Sequence, residues 1–473
     1  MNMENTMCDI GVIGLGVMGR NLALNIADHG YAAAGLDRDL EKAKALKTEG
    51  GDRKVKGTAS MEKFVGLLRR PRAVLLLVPA GKPVDDVIVD LGGRFEKGDL
   101  VIDGGNSHFT DTNRHERELA AKHIRFLGMG VSGGEKGARF GPSLMPGGSM
   151  EAYEQVKGIL EAIAAKVDGD PCVTYLGPRS AGHYVKMVHN GIEYGVMQLI
   201  SETYDFMKRV AGLSNDELAD VYDRWNDGEL RSFLIEITGG IFRRHDDDSS
   251  NRLIDMILDA ARQKGTGKWM SQDAMELQAP VPVIDAAVSQ RDMSGYKQER
   301  EAAGRLLRGP TPSFSGERRA VIERVEQAFS FAMIATYAQG MAQLRAASKA
   351  YDYNLNLSDI AGIWRGGCII RAALLDDIRA ALTRQPELPN LMVDGHFAKL
   401  FNERQSAARE ILKLAIDNGI PTPAHAAAVA YFDSYRAERL PANLIQAQRD
   451  NFGSHTYERI DRDGTFHSEW DRT

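Results

Sequence analysis

Up to Pro178 the chain alternates short apolar runs, Ile10–Gly14, Tyr31–Leu36, Ala73–Val78, Leu100–Gly104 and Ile124–Gly130, with stretches whose apolar positions recur at helical spacing. Runs of that length bounded by turn residues read as strands buried on both faces, and their alternation with helices predicts a parallel, doubly wound sheet. From Ala181 to about Arg436 the strand-like runs stop. Nearly every pattern there is helical, with long segments such as Arg318–Ala350 and Asn402–Asn418. The expected organisation is an α/β domain over residues 1–179, a large all-α domain over 180–440 and a C-terminal tail over 441–473. Loops are expected at Arg243–Asn251, Leu307–Gly316 and Leu440–Asn443, the first carrying a charged run, Asp246–Ser250, that reads as a solvated loop. No short-period repeat and no low-complexity segment interrupts this order. The tail, rich in Gln, Arg, Asn, His and aromatic residues, is too polar to fold alone and is expected to lie against another surface.

Composition narrows the partners. With 473 residues, 43% hydrophobic and 26% charged, the chain is ordinary globular material for two or three cores, and its net charge of −6 offers no basic field for nucleic acid. The three cysteines, Cys8, Cys172 and Cys368, fit no metal-ligand or redox spacing and suit free thiols in a reducing compartment, so the cytosol is expected. Met1–Met7 lacks the charged and apolar parts of a signal peptide, and no later run reaches the ~18 apolar residues of a membrane span. No metal-ligand cluster is evident.

The first strand runs into Gly14-Leu15-Gly16-Val17-Met18-Gly19 and then into a helical run, Arg20–His29. Such a glycine pattern is weak alone, but the strand before, the helix after and Asp37 at the end of the next strand supply the context of a Rossmann-like dinucleotide site. The glycines bring a pyrophosphate onto the helix N-terminus, where unpaired N–H groups favour anions. Cofactor choice turns on Asp37-Arg38-Asp39. A carboxylate there accepts hydrogen bonds from the ribose hydroxyls and faces the 2′-phosphate of NADP, and at about 4 Å with an effective dielectric near 20 the repulsion is ~4 kcal/mol. Arg38 either offsets part of that repulsion or stacks on adenine. NAD is therefore favoured on physical grounds.

The segment Lys186–Tyr194 is the most informative. At about 100° per residue, Lys186, His189, Asn190, Glu193 and Tyr194 share one helical arc, with Met187, Val188, Ile192 and Val196 on the other sides. A solvated face would carry interchangeable Lys and Glu. An amine, an imidazole, an amide, a carboxyl and a phenol on one stripe instead point to a polar ligand, with His189 taken singly as a binding or structural residue. Asp103-Gly104-Gly105-Asn106-Ser107 and Val131-Ser132-Gly133-Gly134 follow strands at the ligand-binding end of an open sheet, as structural turns or as carboxylate cradles. Lys264-Gly265-Thr266-Gly267-Lys268-Trp269 offers cations and amides to a phosphate, or caps a helix.

Together these segments resemble 6-phosphogluconate dehydrogenase over essentially the full chain. The resemblance rests on Asp103–Ser107, Gly130–Glu135, Val185–Tyr194, Lys264–Trp269, and Ile445–Asp450 with Phe452–Tyr457. It implies oxidative decarboxylation of 6-phospho-D-gluconate to D-ribulose 5-phosphate and CO₂ in the pentose phosphate pathway. Lys186 would be the base on the C3 hydroxyl and then the acid on the ketone oxygen, and Glu193 would protonate C1 of the enediol. Asn106, Ser132, Gly133, Gly134, His189 and Asn190 would hold the sugar-acid end. Tyr194, Lys264, Thr266, Arg291 and, from a second subunit of a homodimer, Arg449 and His455 would hold the phosphate end. The cofactor would lie along Gly14–Gly19, Asp37–Asp39, Val78-Pro79-Ala80 and Asn106, and would be NADP by the family pattern. Burial must draw the pKa values of Lys186 and Glu193 toward each other for this chemistry.

Three positions depart from that pattern. Gly16 stands where many members have Ala, Asp37-Arg38-Asp39 replaces the Asn-Arg-Thr typical of NADP-using members, and Val78-Pro79-Ala80 replaces Val-Lys-Ala, removing a cation. All but the first oppose a 2′-phosphate. A tail carrying phosphate ligands without a core of its own is expected to reach into a second subunit, the alternative being a fold back onto its own. Two rivals are a shorter β-hydroxyacid dehydrogenase acting on an unphosphorylated acid and a non-catalytic dinucleotide sensor; the first lacks the Arg449 and His455 tail, the second would lose Lys186 or Glu193.

Overall fold

The computed structural model describes residues 7–470, so the ends of the first and last expected segments, residues 1–6 and 471–473, lie outside the described residues. Seven strands form one sheet: β1 (Ile10–Ile13), β2 (Ala33–Leu36), β3 (Val55–Thr58), β4 (Ala73–Leu76), β5 (Leu100–Asp103), β6 (Arg125–Ser132) and β7 (Ser143–Gly148), in the order β3-β2-β1-β4-β5-β6-β7. The first six are parallel. Because β1 has β2 on one side and β4 on the other, the chain leaves it toward both edges, and the crevice of such a sheet opens at the carboxyl end of β1. Alternate residues feed two cores: Val12, Leu75 and Ile102 face one layer of helices, and Ile13, Leu76 and Val101 face the other.

Two strands differ from the expected pattern. β3, Val-Lys-Gly-Thr, is a half-buried edge with a single large apolar residue, so no apolar run marks it. β7 corrects the expectation of a wholly parallel sheet: it runs antiparallel to β6, pairing Met129 with Pro146. Its Pro-Gly-Gly end carries the composition of a turn, which an edge strand tolerates and a central one does not.

The helical part begins at Ala181 with a helix of 29 residues, Ala181–Arg209, packed on the 33-residue helix Arg318–Ala350. The approach is close enough that a Cβ on Gly195 would stand 2.6 Å from Thr336, and one on Gly340 2.5 Å from Ile192. The helix expected at Asn402–Asn418 starts earlier, at Gly395, where Asp394 accepts from His396 and Phe397 N–H groups at 3.0 and 3.3 Å. None of the helices among the described residues is long and apolar enough to cross a membrane.

The tail is the second correction. A helix, Ala442–Gly453, replaces half of the expected Leu440–Asn443 loop, and a short hairpin, Tyr457–Glu458 with Thr465–Phe466, follows it. Its polar residues organise locally around fully buried Asp450, while Leu444, Ile445 and Phe452 stay exposed.

Candidate active site

The carboxyl end of β1 turns through Gly14 at φ 94°, and Gly19 lies so close to the turn that a Cβ would meet the Gly14 carbonyl. Gly16, by contrast, faces open space, so the Ala found in many relatives would fit. The helix Val17–Asp28 starts at Gly16 with no side-chain cap, leaving its first N–H groups to a ligand. Leu15 has another task. Its side chain is fully buried and its N–H donates to Asp37 Oδ2 at 2.8 Å, tying the turn to the end of β2.

Asp37 Oδ1 accepts from the Asp39 N–H at 2.9 Å, and Lys42 stands 3.8 Å from Oδ2. Each carboxylate oxygen retains capacity for a second donor such as a ribose hydroxyl. Asp39 caps the helix Leu40–Gly50 by accepting from Glu41 N–H at 3.0 Å, and Arg38 is exposed beside it. The Val78-Pro79-Ala80 segment follows β4 and packs against the glycine turn, where a Cβ on Gly14 would meet the Leu77 carbonyl at 2.6 Å. After β5, Asp103 knits its own loop by accepting from Gly105 N–H at 2.9 Å and from the Ser107 hydroxyl at 2.6 Å. Asn106 is left at φ 56° with a buried side-chain oxygen that has no partner. A buried amide oxygen without a donor is costly, and a bound donor at the crevice would satisfy it. The glycine cradle, the free helix N-terminus and the Asn106 orphan fit a nicotinamide dinucleotide.

The helix Ala181–Arg209 lies directly on the backbone of β6 and β7: a Cβ on Gly182 would come within 2.3 Å of the Gly128 carbonyl. One turn on, Gly130 leaves room for the Lys186 alkyl chain, whose Cβ would otherwise meet a side chain at 2.4 Å. Lys186 is thereby buried, and its amine donates to Asn190 Oδ1 at 2.8 Å and lies 3.3 Å from His189 Nδ1. His189 Nδ1 is 3.1 Å from Asn190 Oδ1, and Nε2 is 3.2 Å from the Ser132 hydroxyl. The Glu193 carboxylate, 21% exposed, approaches the same Nδ1 at 3.8 Å. The amine and the carboxyl, two helical turns apart in sequence, therefore converge on one imidazole nitrogen.

Burial drives the electrostatics. It pushes Lys186 below the ordinary amine range against the pull of Glu193, and it pushes Glu193 above the ordinary carboxyl range against Lys186 and Arg291. His189 is driven far below the usual imidazole range by burial and by the adjoining amine, so it is neutral and serves as a hydrogen-bonding spacer. The Cys368 thiol near Lys186 is pushed up to about 12 by burial and brings no counter-charge that would hold the amine protonated.

Ser132 ends β6, and Gly133 and Gly134, at φ 122° and 59°, turn the chain into a short helix. A Cβ on Gly133 would stand 2.5 Å from the Gly367 carbonyl. That support was not visible in the sequence. It comes from residues 363–368, where Ser143 donates to the Ile363 carbonyl at 2.7 Å and fully buried Trp364 sets its ring edge-on to His189 at 5.8 Å. Tyr194, further along the helix Ala181–Arg209, has the Arg291 guanidinium of the helix Pro282–Ser294 3.5 Å over its ring, and Gly267 lets that ring contact the helix Thr266–Glu276. Thr266 opens that helix, Gly265 caps it at φ 95° and Lys264 precedes it exposed, so the segment serves as a helix cap. Arg449 and His455 are not drawn into this cluster; Arg449 donates to Gln446 at 3.0 Å within the tail.

The N-terminal part matches the NAD binding domain of 6-phosphogluconate dehydrogenase over residues 9–177, and the remainder matches the C-terminal domain of 6-phosphogluconate dehydrogenase over residues 182–470. The chain belongs to the 6-phosphogluconate dehydrogenase family. It is a decarboxylating dehydrogenase, an oxidoreductase using a nicotinamide dinucleotide. The NADP(+)-dependent decarboxylating enzyme of Bacillus subtilis is 53% identical over 98% of each chain, and the decarboxylating enzyme of Lactococcus lactis is 51% identical over the same 98% shares. The Plasmodium falciparum 6-phosphogluconate dehydrogenase structure superposes with a TM-score of 0.95 at 44% identity, covering 98% of this chain and 100% of its own. A match to the family's C-terminal domain as far as residue 470 removes the shorter β-hydroxyacid dehydrogenase as a rival.

Proposed function

We propose that Lys186 and Glu193 carry the oxidative decarboxylation of 6-phosphogluconate to ribulose 5-phosphate and CO₂ in this chain, with NAD preferred over NADP. The convergence of a buried amine and a half-buried carboxyl on His189 carries the reading. Unprotonated Lys186 takes the proton of the C3 hydroxyl, and the bound nicotinamide supplies the hydride acceptor. The ammonium so formed returns its proton to the ketone oxygen as CO₂ leaves, because the ketone takes up the electrons of the breaking bond. Protonated Glu193 then delivers a proton to C1 of the enediol while neutral Lys186 takes back the enol hydroxyl proton, leaving the ketone of ribulose 5-phosphate. Ser132, Gly133, Gly134, Asn190 and Asn106 hold the sugar-acid end, while Tyr194, Arg291, Lys264 and Thr266 face the phosphate end.

The relatives point to NADP by name and by complex: the Bacillus enzyme is called NADP(+)-dependent, and the Plasmodium structure is described with NADP+ and with its substrate 6-phosphogluconate. Asp37 and Asp39 favour NAD here, because their carboxylates are fixed at the end of β2 where a 2′-phosphate would approach. The tail supports a homodimer: its helix exposes Leu444, Ile445 and Phe452. Three unpaired, buried cysteines support a cytosolic location.

The direct test supplies 6-phosphogluconate with either dinucleotide and follows reduced nicotinamide and CO₂. Turnover yielding both products is expected, with a higher kcat/KM for NAD; a clear NADP preference would overturn the cofactor assignment. The pH profile is a second test. Catalysis needs the amine free and the carboxyl protonated, so kcat/KM falls in acid as Lys186 gains a proton and falls in alkali as Glu193 loses one, the limbs belonging to the coupled pair. In Glu193→Gln the alkaline limb should vanish. The acid limb should move to lower pH, because the carboxylate that raises the Lys186 pKa is gone. An unchanged bell would assign the acid to another group.

A further inference from the structure

The tail contains a device that the reaction chemistry does not account for. Asp450 is fully buried on a helix whose other residues are almost all in contact with solvent. Its Oδ1 accepts from the Thr456 N–H at 2.9 Å and meets His467 Nδ1 at 2.9 Å; its Oδ2 accepts from the Ser468 N–H at 3.1 Å and from the Trp470 indole at 2.8 Å. Burial opposes ionisation, but these donors outweigh it and hold the carboxyl below its ordinary range.

These bonds fasten a backbone that does not stay in place by itself. Ser454 and Thr456 have φ of 52° and 60°, a left-handed conformation that a β-branched residue such as Thr avoids. Such a conformation persists only when its surroundings over-determine it. Here Asp450 holds the Thr456 N–H and Gln446 donates to the Thr456 carbonyl at 2.5 Å. His455, between the two left-handed residues, is folded back so closely over Gly453 that a Cβ there would stand 2.8 Å from the ring. Gln446 also accepts from Arg449 at 3.0 Å. One carboxylate and one amide thus set Arg449 and His455 relative to each other.

We propose that Asp450, assisted by Gln446, is the positioning residue that preforms Arg449 and His455 as a two-point anion site before the tail meets the partner subunit. The inference rests on the reading that these two residues bind substrate phosphate across a dimer. Preforming spares the association the cost of ordering a loop and an arginine side chain, and that gain appears in substrate binding and not in the chemical step.

Steady-state kinetics of the intact enzyme test it, using 6-phosphogluconate and unphosphorylated gluconate on wild type, Asp450→Asn, Gln446→Ala and Arg449→Ala, with sedimentation of each variant. In Asp450→Asn the amide turns donors toward donors. Its KM for 6-phosphogluconate should rise about tenfold or more, the scale of a lost charge-assisted hydrogen bond, with kcat within about threefold. The kcat/KM ratio of phosphorylated to unphosphorylated substrate should fall in parallel, and Gln446→Ala, at a half-buried position, should shift both in the same direction by less. Unchanged KM in Asp450→Asn and Gln446→Ala beside a raised KM in Arg449→Ala would overturn the inference and leave the tail reading intact. Equal losses on both substrates, or a change in sedimentation alone, would make Asp450 merely structural and also overturn it. An unchanged KM in Arg449→Ala would remove the tail reading itself.

Discussion

Replacing Lys186 by Met should lower kcat by roughly 10²–10⁴-fold, the range for a positioned general base, while NAD binding measured by calorimetry stays within about twofold. Met keeps most of the alkyl chain that fits the space left by Gly130, so the loss is that of the amine and not of packing. The effect is large because nothing nearby can take over. His189 is neutral but has its ring nitrogens engaged with Ser132, Asn190 and Lys186, and the Cys368 thiol is buried and protonated. Lys186→Arg should be about as damaging, since a guanidinium does not release its proton in the working pH range. A kcat within about tenfold of wild type in the Met variant would place the base elsewhere.

The paired substitution Asp37→Asn with Asp39→Thr should turn the cofactor preference toward NADP, raising the NADP-to-NAD ratio of kcat/KM by ~10-fold or more, at least ~1.4 kcal/mol. Both changes keep the local structure. Asn still offers an oxygen to the Leu15 N–H, and Thr still caps the helix Leu40–Gly50 in place of Asp39. What disappears is two negative charges at the place a 2′-phosphate must enter, leaving Arg38 and Lys42 beside it. The repulsion removed is bounded at ~4 kcal/mol per close pair and is weakened by the exposure of Asp39. A ratio unchanged in the double variant would mean that the Val78-Pro79-Ala80 segment, with its missing lysine, sets the preference.

How far the chain could be read before folding differs from element to element. β1, β2, β4 and β5 were legible because strands buried on both faces need continuous apolar residues, and the glycine turn because Gly14 and Gly19 sit where a Cβ has no room. The stripe from Lys186 to Glu193 was legible because helical periodicity fixes which side chains share a face. Local period says nothing about what lies opposite that face. The burial that brings the Lys186 and Glu193 pKa values together comes from β6, from Trp364 and from Cys368, groups far apart in the chain that only packing unites. β7 and the support of Gly133 by Gly367 were hidden for the same reason, as contacts between backbone atoms whose partners no local pattern names, and so was the clamp of the Asp450 carboxylate on the Thr456 N–H. Residue type and short spacing were enough to fix the two architectures, the dinucleotide turn and the polar stripe on one helical face. The protonation tendencies of Lys186 and Glu193 and the conformation of the tail came from the fold alone, the first because distant segments exclude water from the helix, the second because one buried carboxylate gathers donors from residues 456 to 470 that no periodic pattern links to it.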